Sequence, residues 1–145
     1  MDMLERFAVT YKNDGLPPLV GKIIGLLYIN NQKYFTFSDI QEGIGASKGA
    51  TSKALKLLLG LNRINFKYSD ENKKKRLFFL DIKGVYLFMK IVMKNYSDQN
   101  QLLKESLDLR NNENEELNGF INESIKFNEE VLDFLNKKSI QYFKE

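Results

Sequence analysis

Three features of the sequence predict a mostly α fold carrying one small β-hairpin. Apolar residues recur at helical spacing over most of the chain, and two short β-prone runs flank a turn-rich basic stretch. Just ahead of them, two helical segments are joined by a glycine-containing turn. The 145 residues are 43% hydrophobic and 28% charged, which supplies a core and fits one domain with extended arms.

Leu4, Phe7, Ala8 and Tyr11 stand at i, i+3, i+4 and i+7 and predict a first helix that stops at Asn13-Asp14-Gly15. Pro17 and Pro18 suit the first turn of a second helix bearing Val20, Ile23, Ile24 and Leu27 and ending at Asn30-Asn31. Gly21 and Gly25 leave one face of it bare, which admits a close neighbouring backbone at about 1 kcal/mol each in helix propensity. Phe35-Thr36-Phe37 reads as a short extended piece, and Ser38 with Gln41 as a capping box opening a third helix that carries Ile40 and Ile44. After Gly43 and Gly45, Ser47 caps a fourth helix running to about Leu61. Its Thr51, Ala54, Leu55 and Leu58 form a core face, whereas Lys48, Gly49, Ser52, Lys53 and Lys56 form a small, polar and basic one. Asn62 occupies the left-handed position after this helix.

Ile64, Phe66 and Tyr68 then alternate, and Leu77–Ile82 is a second β-favouring run. Ser69 to Arg76 lie between them, so a hairpin with a basic tip is expected. Val85, Phe88, Val92 and Tyr96 open a long helix that continues through Leu103 and Leu107, and Asn111-Asn112-Glu113-Asn114 break it. The last helix carries Leu117, Ile121, Ile125, Leu132 and Leu135, with Phe120, Phe127, Val131 and Phe134 widening the stripe.

The chain has no Cys, His or Trp, which removes thiolate nucleophiles, imidazole bases, zinc fingers and disulfides together. With no close acid pair, glycine-rich phosphate loop or metal-ligand spacing, neither catalysis nor a metal or cofactor site is expected. Net charge is +3 but uneven: residues 1–95 hold 16 Lys/Arg against 8 Asp/Glu, and residues 96–145 hold 6 against 11. An anionic partner for the first part follows from that asymmetry. Lys22, Asp81, Lys83 and Lys90 interrupt the apolar stretches, and the acidic N-terminal segment is unlike a signal peptide. A cytoplasmic protein with no membrane partner is therefore expected.

Helix, helix, short strand, helix, turn, helix, hairpin is the order of a winged helix-turn-helix. The sequence resembles the MarR-type regulators, and within them the GbsR-like branch, over roughly residues 4–95. The resemblance lies in Gly15-Leu16-Pro17-Pro18-Leu19-Val20-Gly21-Lys22-Ile23, in Phe37-Ser38-Asp39-Ile40, and above all in Ile44-Gly45-Ala46-Ser47-Lys48-Gly49-Ala50-Thr51-Ser52-Lys53-Ala54-Leu55-Lys56. Asn62 departs from the glycine usual there, and the wing is a plain Lys-Lys-Lys-Arg run. The resemblance implies a homodimeric transcriptional regulator, in the first instance a repressor, acting on double-stranded operator DNA. A small-molecule effector is a candidate further partner, since members of the branch are linked to choline and betaine metabolism. Tyr11, Tyr28, Tyr86, Phe88 and Tyr96 could contribute to an aromatic cage for such a cation.

The residues themselves point the same way. A helix entering the major groove must be narrow and rich in donors. The expected DNA-binding set is Ser47, Lys48, Gly49, Ser52, Lys53 and Lys56 on the helix, with Lys73, Lys74, Lys75 and Arg76 on a flexible wing tip. A winged helix serving protein–protein assembly instead would want a non-basic groove face, which this chain lacks. Residues 16–83 are read as the DNA-binding domain, and 1–15 with 84–145 as a helical dimerisation region. There Leu117, Ile121, Ile125 and Leu132 are expected to meet the partner.

Overall fold

The computed structural model describes residues 1–143. Six helices and one hairpin follow in order: α1 (Met3–Lys12), α2 (Pro18–Ile29), α3 (Phe37–Ile44), α4 (Lys48–Gly60), β1 (Ile64–Tyr68), β2 (Arg76–Leu80), α5 (Ile82–Asp108) and α6 (Glu115–Tyr142). The chain divides into two units, Met1–Val85 and Tyr86–Glu145, with α5 crossing the boundary as one unbroken helix. No helix among the described residues is long and apolar enough to cross a membrane.

In the first unit α2 is the central rod, packed along α1 and touching α3, α4 and β2. Its Val20, Ile23 and Ile24 are fully buried together with Ile40 of α3, Leu58 of α4 and Phe78 of β2. α1 is capped reciprocally, Asp2 Oδ1 accepting the Glu5 N–H at 2.8 Å and Glu5 Oε2 accepting the Asp2 N–H at 3.3 Å. α1 lies directly on the bare face of α2. A Cβ on Gly21 would stand 2.8 Å from Ala8 Cα and 2.9 Å from the Phe7 carbonyl oxygen, and one on Gly25 would stand 2.8 Å from the Phe7 ring.

Gly21 and Gly119 therefore answer alanine in opposite ways. Alanine at either gains about 1 kcal/mol of helix propensity, but at Gly21 the added methyl meets backbone and must push α1 off α2. Gly21→Ala is expected to lose about 2 kcal/mol net, a fall in Tm of roughly 4–8 °C. Gly119→Ala, which meets nothing within 4 Å, is expected to raise Tm. Thermal melts of the two variants check this, and equal shifts would contradict the close α1–α2 approach.

Three local expectations are corrected. α3 is capped by Thr36 with Asp39, not by Ser38 with Gln41. Thr36 Oγ1 accepts the Asp39 N–H at 3.0 Å and Asp39 Oδ2 accepts the Thr36 N–H at 2.9 Å, an exchange that a carboxylate at the third position makes and that draws Phe37 into the helix. The extended piece shrinks to Phe35, whose N–H and carbonyl pair with Phe78 at 2.9 and 2.7 Å and add a single bridge to the hairpin. Ile82 leaves the strand and starts α5, because Asp81 Oδ1 accepts the Gly84 N–H at 3.0 Å and turns the chain into a helix. Asn62 adopts the left-handed conformation expected of it, φ 58°.

In the second unit α5 and α6 form a hairpin of helices joined through 109–114. Tyr86 meets Phe143 at one end and Arg110 meets Asn118 at the other, so the two run antiparallel. Of its described residues only Asn100 and Ile121 are buried. Ile121 is thus covered by its own chain, which corrects its assignment to a partner surface, while Leu117, Ile125 and Leu132 are half-buried. Among the strongly exposed apolar side chains of α6 are Phe120, Phe127 and Phe134, each more than half exposed, with Ile140 and Tyr142 exposed near its end.

Candidate nucleic-acid interface

α3 and α4 are set by the turn between them. Gly45 takes φ 63°, ψ 40° and donates its N–H to the carbonyls of Gln41 and Glu42, closing α3 in a left-handed cap. Two residues on, Ser47 Oγ accepts the Ala50 N–H at 3.2 Å, and the Thr51 hydroxyl donates to the Ser47 carbonyl at 2.8 Å. Thr51, Ala54, Leu55 and Leu58 are buried, so α4 can present only one face outward. That face carries Lys48, Gly49, Ser52, Lys53 and Lys56, all exposed, with open space where a Gly49 side chain would stand.

The hairpin pairs Ile64 with Leu80 through Tyr68 with Arg76. Its tip is shaped by Asn72, whose carbonyl accepts the Lys75 N–H at 2.9 Å and whose Oδ1 accepts the Lys74 N–H at 3.1 Å, while Ser69 N–H reaches the Lys75 carbonyl. Lys73, Lys74 and Lys75 are exposed. Arg76 differs from the flexible tip residue expected: it is the first residue of β2, and its guanidinium lies 5.1 Å over the Phe66 ring and 5.0 Å over Phe78. Phe66 and Phe78 share the inner face of the hairpin with Arg76, because all three stand at alternating positions of the paired strands. The stack holds the cation in place where a lysine would swing.

Helix and wing meet in a concave site of about 390 Å³ lined by Lys48 and Ser52 of α4, Lys74, Lys75 and Arg76 of the wing, and Thr36, Phe37, Ser38 and Phe78. Of the expected residues, Lys48, Ser52, Lys74, Lys75 and Arg76 are brought together. Lys53 and Lys56 instead border a separate depression with Leu57, Gly60 and Leu61, further along α4. Ser47, Gly49 and Lys73 line neither. Thr36 and Phe37 were missed from the sequence, although Thr36-Phe37-Ser38-Asp39 carries a capping signature that marks a helix start in that position. Among the described residues none of these lysines, nor Arg76, is in an ion pair. A cleft of unpaired cations with hydroxyl donors and an aromatic floor has the chemistry to accept an extended anion.

Four of the aromatic residues suggested for a cation cage have described contacts. Phe7 stacks with Tyr11 at 6.0 Å and with Tyr28 at 6.3 Å in the first unit, while in the second Tyr86 packs on Phe143 and the Tyr96 hydroxyl bonds to Asn128.

Fold and cleft together define a winged helix-turn-helix with a cationic face spanning its fourth helix and its wing. A solved structure described as that of a transcriptional regulator superposes on 99% of this chain and 97% of its own with a TM-score of 0.71, at 12% sequence identity. Over 151 residues the chain is 28% identical to YvaV of Bacillus subtilis (strain 168), named as an HTH-type transcriptional regulator, spanning 97% of this chain and 84% of that protein. It is 25% identical over 109 residues to the HTH-type transcriptional repressor OpcR of the same organism, across 73% of this chain and 58% of OpcR. No family model matches the chain.

Proposed function

We propose that the protein is a sequence-specific, double-stranded-DNA-binding transcriptional regulator, a repressor acting as a homodimer in the cytoplasm, and not an enzyme. The observation that carries this is the cleft in which Lys48 and Ser52 of α4 face Lys74, Lys75 and Arg76 of the wing with no carboxylate paired to any of the cations among the described residues. Its relatives are named as helix-turn-helix regulators, one of them a repressor, which supports the reading. The stretches Gly15–Ile23 and Ile44–Lys56 favour the GbsR-like branch of MarR-type regulators, and a small-molecule effector belongs to that reading. In it Ser47, Lys48, Gly49, Ser52, Lys53 and Lys56 enter the major groove, and Lys73, Lys74, Lys75 and Arg76 hold the backbone beside it.

A dimer is favoured by the second unit. From Tyr86 onward its two long helices bury only Asn100 and Ile121 among the described residues, and so have little to hold them in water alone. Phe120, Phe127 and Phe134 repeat every seven residues along α6, 66%, 64% and 60% exposed. Six such rings across a two-fold axis would bury roughly half of a standard interface. An axis through Phe127 brings the acidic start of α6, Glu115 and Glu116, level with the basic end, Lys137 and Lys138, of the second copy.

A salt titration of duplex binding, with selection from a random DNA pool, tests the function. If each protomer neutralises about four phosphates, log K against log salt falls with a slope of roughly −7 for the dimer. Ser52→Ala or Lys53→Ala is expected to relax preference at single operator positions by about 1–3 kcal/mol. Lys74→Ala should weaken all sequences alike and make the slope shallower by about one unit for each phosphate left unneutralised. A slope near zero, or tighter binding to single strands, overturns the proposal.

A further inference from the structure

The faces that α5 and α6 turn toward each other are built on one repeat. On α5, Tyr86, Met89, Met93, Tyr96, Asn100, Leu103 and Leu107 alternate in steps of three and four, and every one is buried or half-buried. On α6, Leu117, Ile121, Ile125, Asn128, Leu132 and Leu135 follow in steps of four, four, three, four and three, all but Leu135 at least half-buried. Apolar side chains repeating at this spacing match their neighbours almost equally well after a shift of seven residues. Asn100 and Asn128 break that equivalence. The Asn128 amide donates to Asn100 Oδ1 at 3.0 Å, the Tyr96 hydroxyl donates to Asn128 Oδ1, and Asn100 is only 4% exposed. A shift of one heptad would leave the buried Asn100 amide facing Ile121 or Leu135, which offer it nothing. Lys104, one turn further along α5, also reaches across to pair with Glu129 of α6.

We infer that Tyr96, Asn100 and Asn128 are positioning residues that select one register of α5 on α6, and so fix the height at which Phe120, Phe127 and Phe134 are held for a second copy. Buried asparagines in a repeating apolar seam discriminate between alignments more than they add stability. The role in presenting the phenylalanine stripe rests on the proposed homodimer. The register key itself does not.

The chain lacks cysteine, so spin labels can be placed at will. Labels at Gln101→Cys and Gln141→Cys, both exposed, report the offset of the two helices, with labelled protein diluted into unlabelled protein to isolate distances within one chain. The wild-type background is expected to show one distance. Asn100→Leu combined with Asn128→Leu should keep the helix content and add a second population about 10 Å away, seven residues at 1.5 Å each. Met93→Asn combined with Asn100→Leu moves the key by one heptad and should shift the main population to about 10 Å longer. That variant retains an asparagine pair, so it tests the register even where the leucine pair fails to fold. A single unshifted distance in either folded variant overturns the inference. Sedimentation of the wild type decides the dimer separately: a monomer with one distance refutes the dimer and leaves the key standing.

Discussion

Phe120→Ser, Phe127→Ser and Phe134→Ser in one chain are expected to yield a folded monomer that binds duplex DNA at least about a hundredfold more weakly than the wild type. The three rings are mostly exposed in the single chain, so their removal costs that chain little packing, while a second copy loses the continuous apolar strip it would cover. A monomer meets one half-site in place of two, and linked sites bind about 10²- to 10⁴-fold more tightly than single ones. The salt slope should fall by half, from roughly −7 to roughly −3.6. Ile121→Asp is the informative contrast. Ile121 is 5% exposed within its own chain, so a carboxylate there is buried without a partner and should melt the α5–α6 hairpin, seen as lost helix content. Wild-type protein sedimenting as a monomer at micromolar concentration, or a triple variant that stays dimeric, would show that the stripe serves something else.

Lys48→Glu combined with Arg76→Glu should abolish specific binding, an affinity loss of more than roughly a thousandfold, with helix content unchanged. These residues come from different elements, α4 and β2, yet line the same cleft. Reversing both replaces two attractions per protomer by two repulsions, and hydrogen bonds to charged groups are worth about 1.5–3 kcal/mol each. Over a dimer four phosphate contacts disappear, so any residual binding should have a slope shallower by roughly 3.6. Arg76→Lys keeps the charge but gives up the planar stack on Phe66 and Phe78, and an intermediate loss is expected from it. Fluorescence anisotropy with a selected operator and a scrambled duplex separates the two cases. Undiminished binding by the double variant would place the DNA on another surface.

The residues of α4 show how far periodicity reaches. Thr51, Ala54, Leu55 and Leu58 must face inward because they are the only apolar stripe on that helix, so the outward set from Lys48 to Lys56 is determined once the helix is recognised. The same reasoning placed α1 and α2, the bare Gly21–Gly25 face that admits a close neighbour, and the left-handed Asn62, while the structure identified α1 as that neighbour. It failed at the start of α3, where two overlapping capping boxes competed and the better hydrogen-bond exchange, Thr36 with Asp39, prevailed. It failed again at Arg76, which follows three lysines in sequence but leaves them in space, because strand alternation sets its side chain onto two aromatic rings.

The sequence alone therefore determined the order of elements, the inward and outward faces of α4, and the basic character of that outward face, all of which depend on neighbours within a few residues. Only the tertiary structure decided which of these residues share a cleft, Lys48 and Ser52 with Lys74 to Arg76 but not with Lys53 and Lys56. It also decided which apolar stripe of α6 is left uncovered. Ile121 and Phe120 are adjacent and equally apolar in sequence, yet α5 covers one and leaves the other in water. Burial depends on what packs against a face, and that is fixed by contacts between residues far apart in the chain, to which a repeat of three and four is blind.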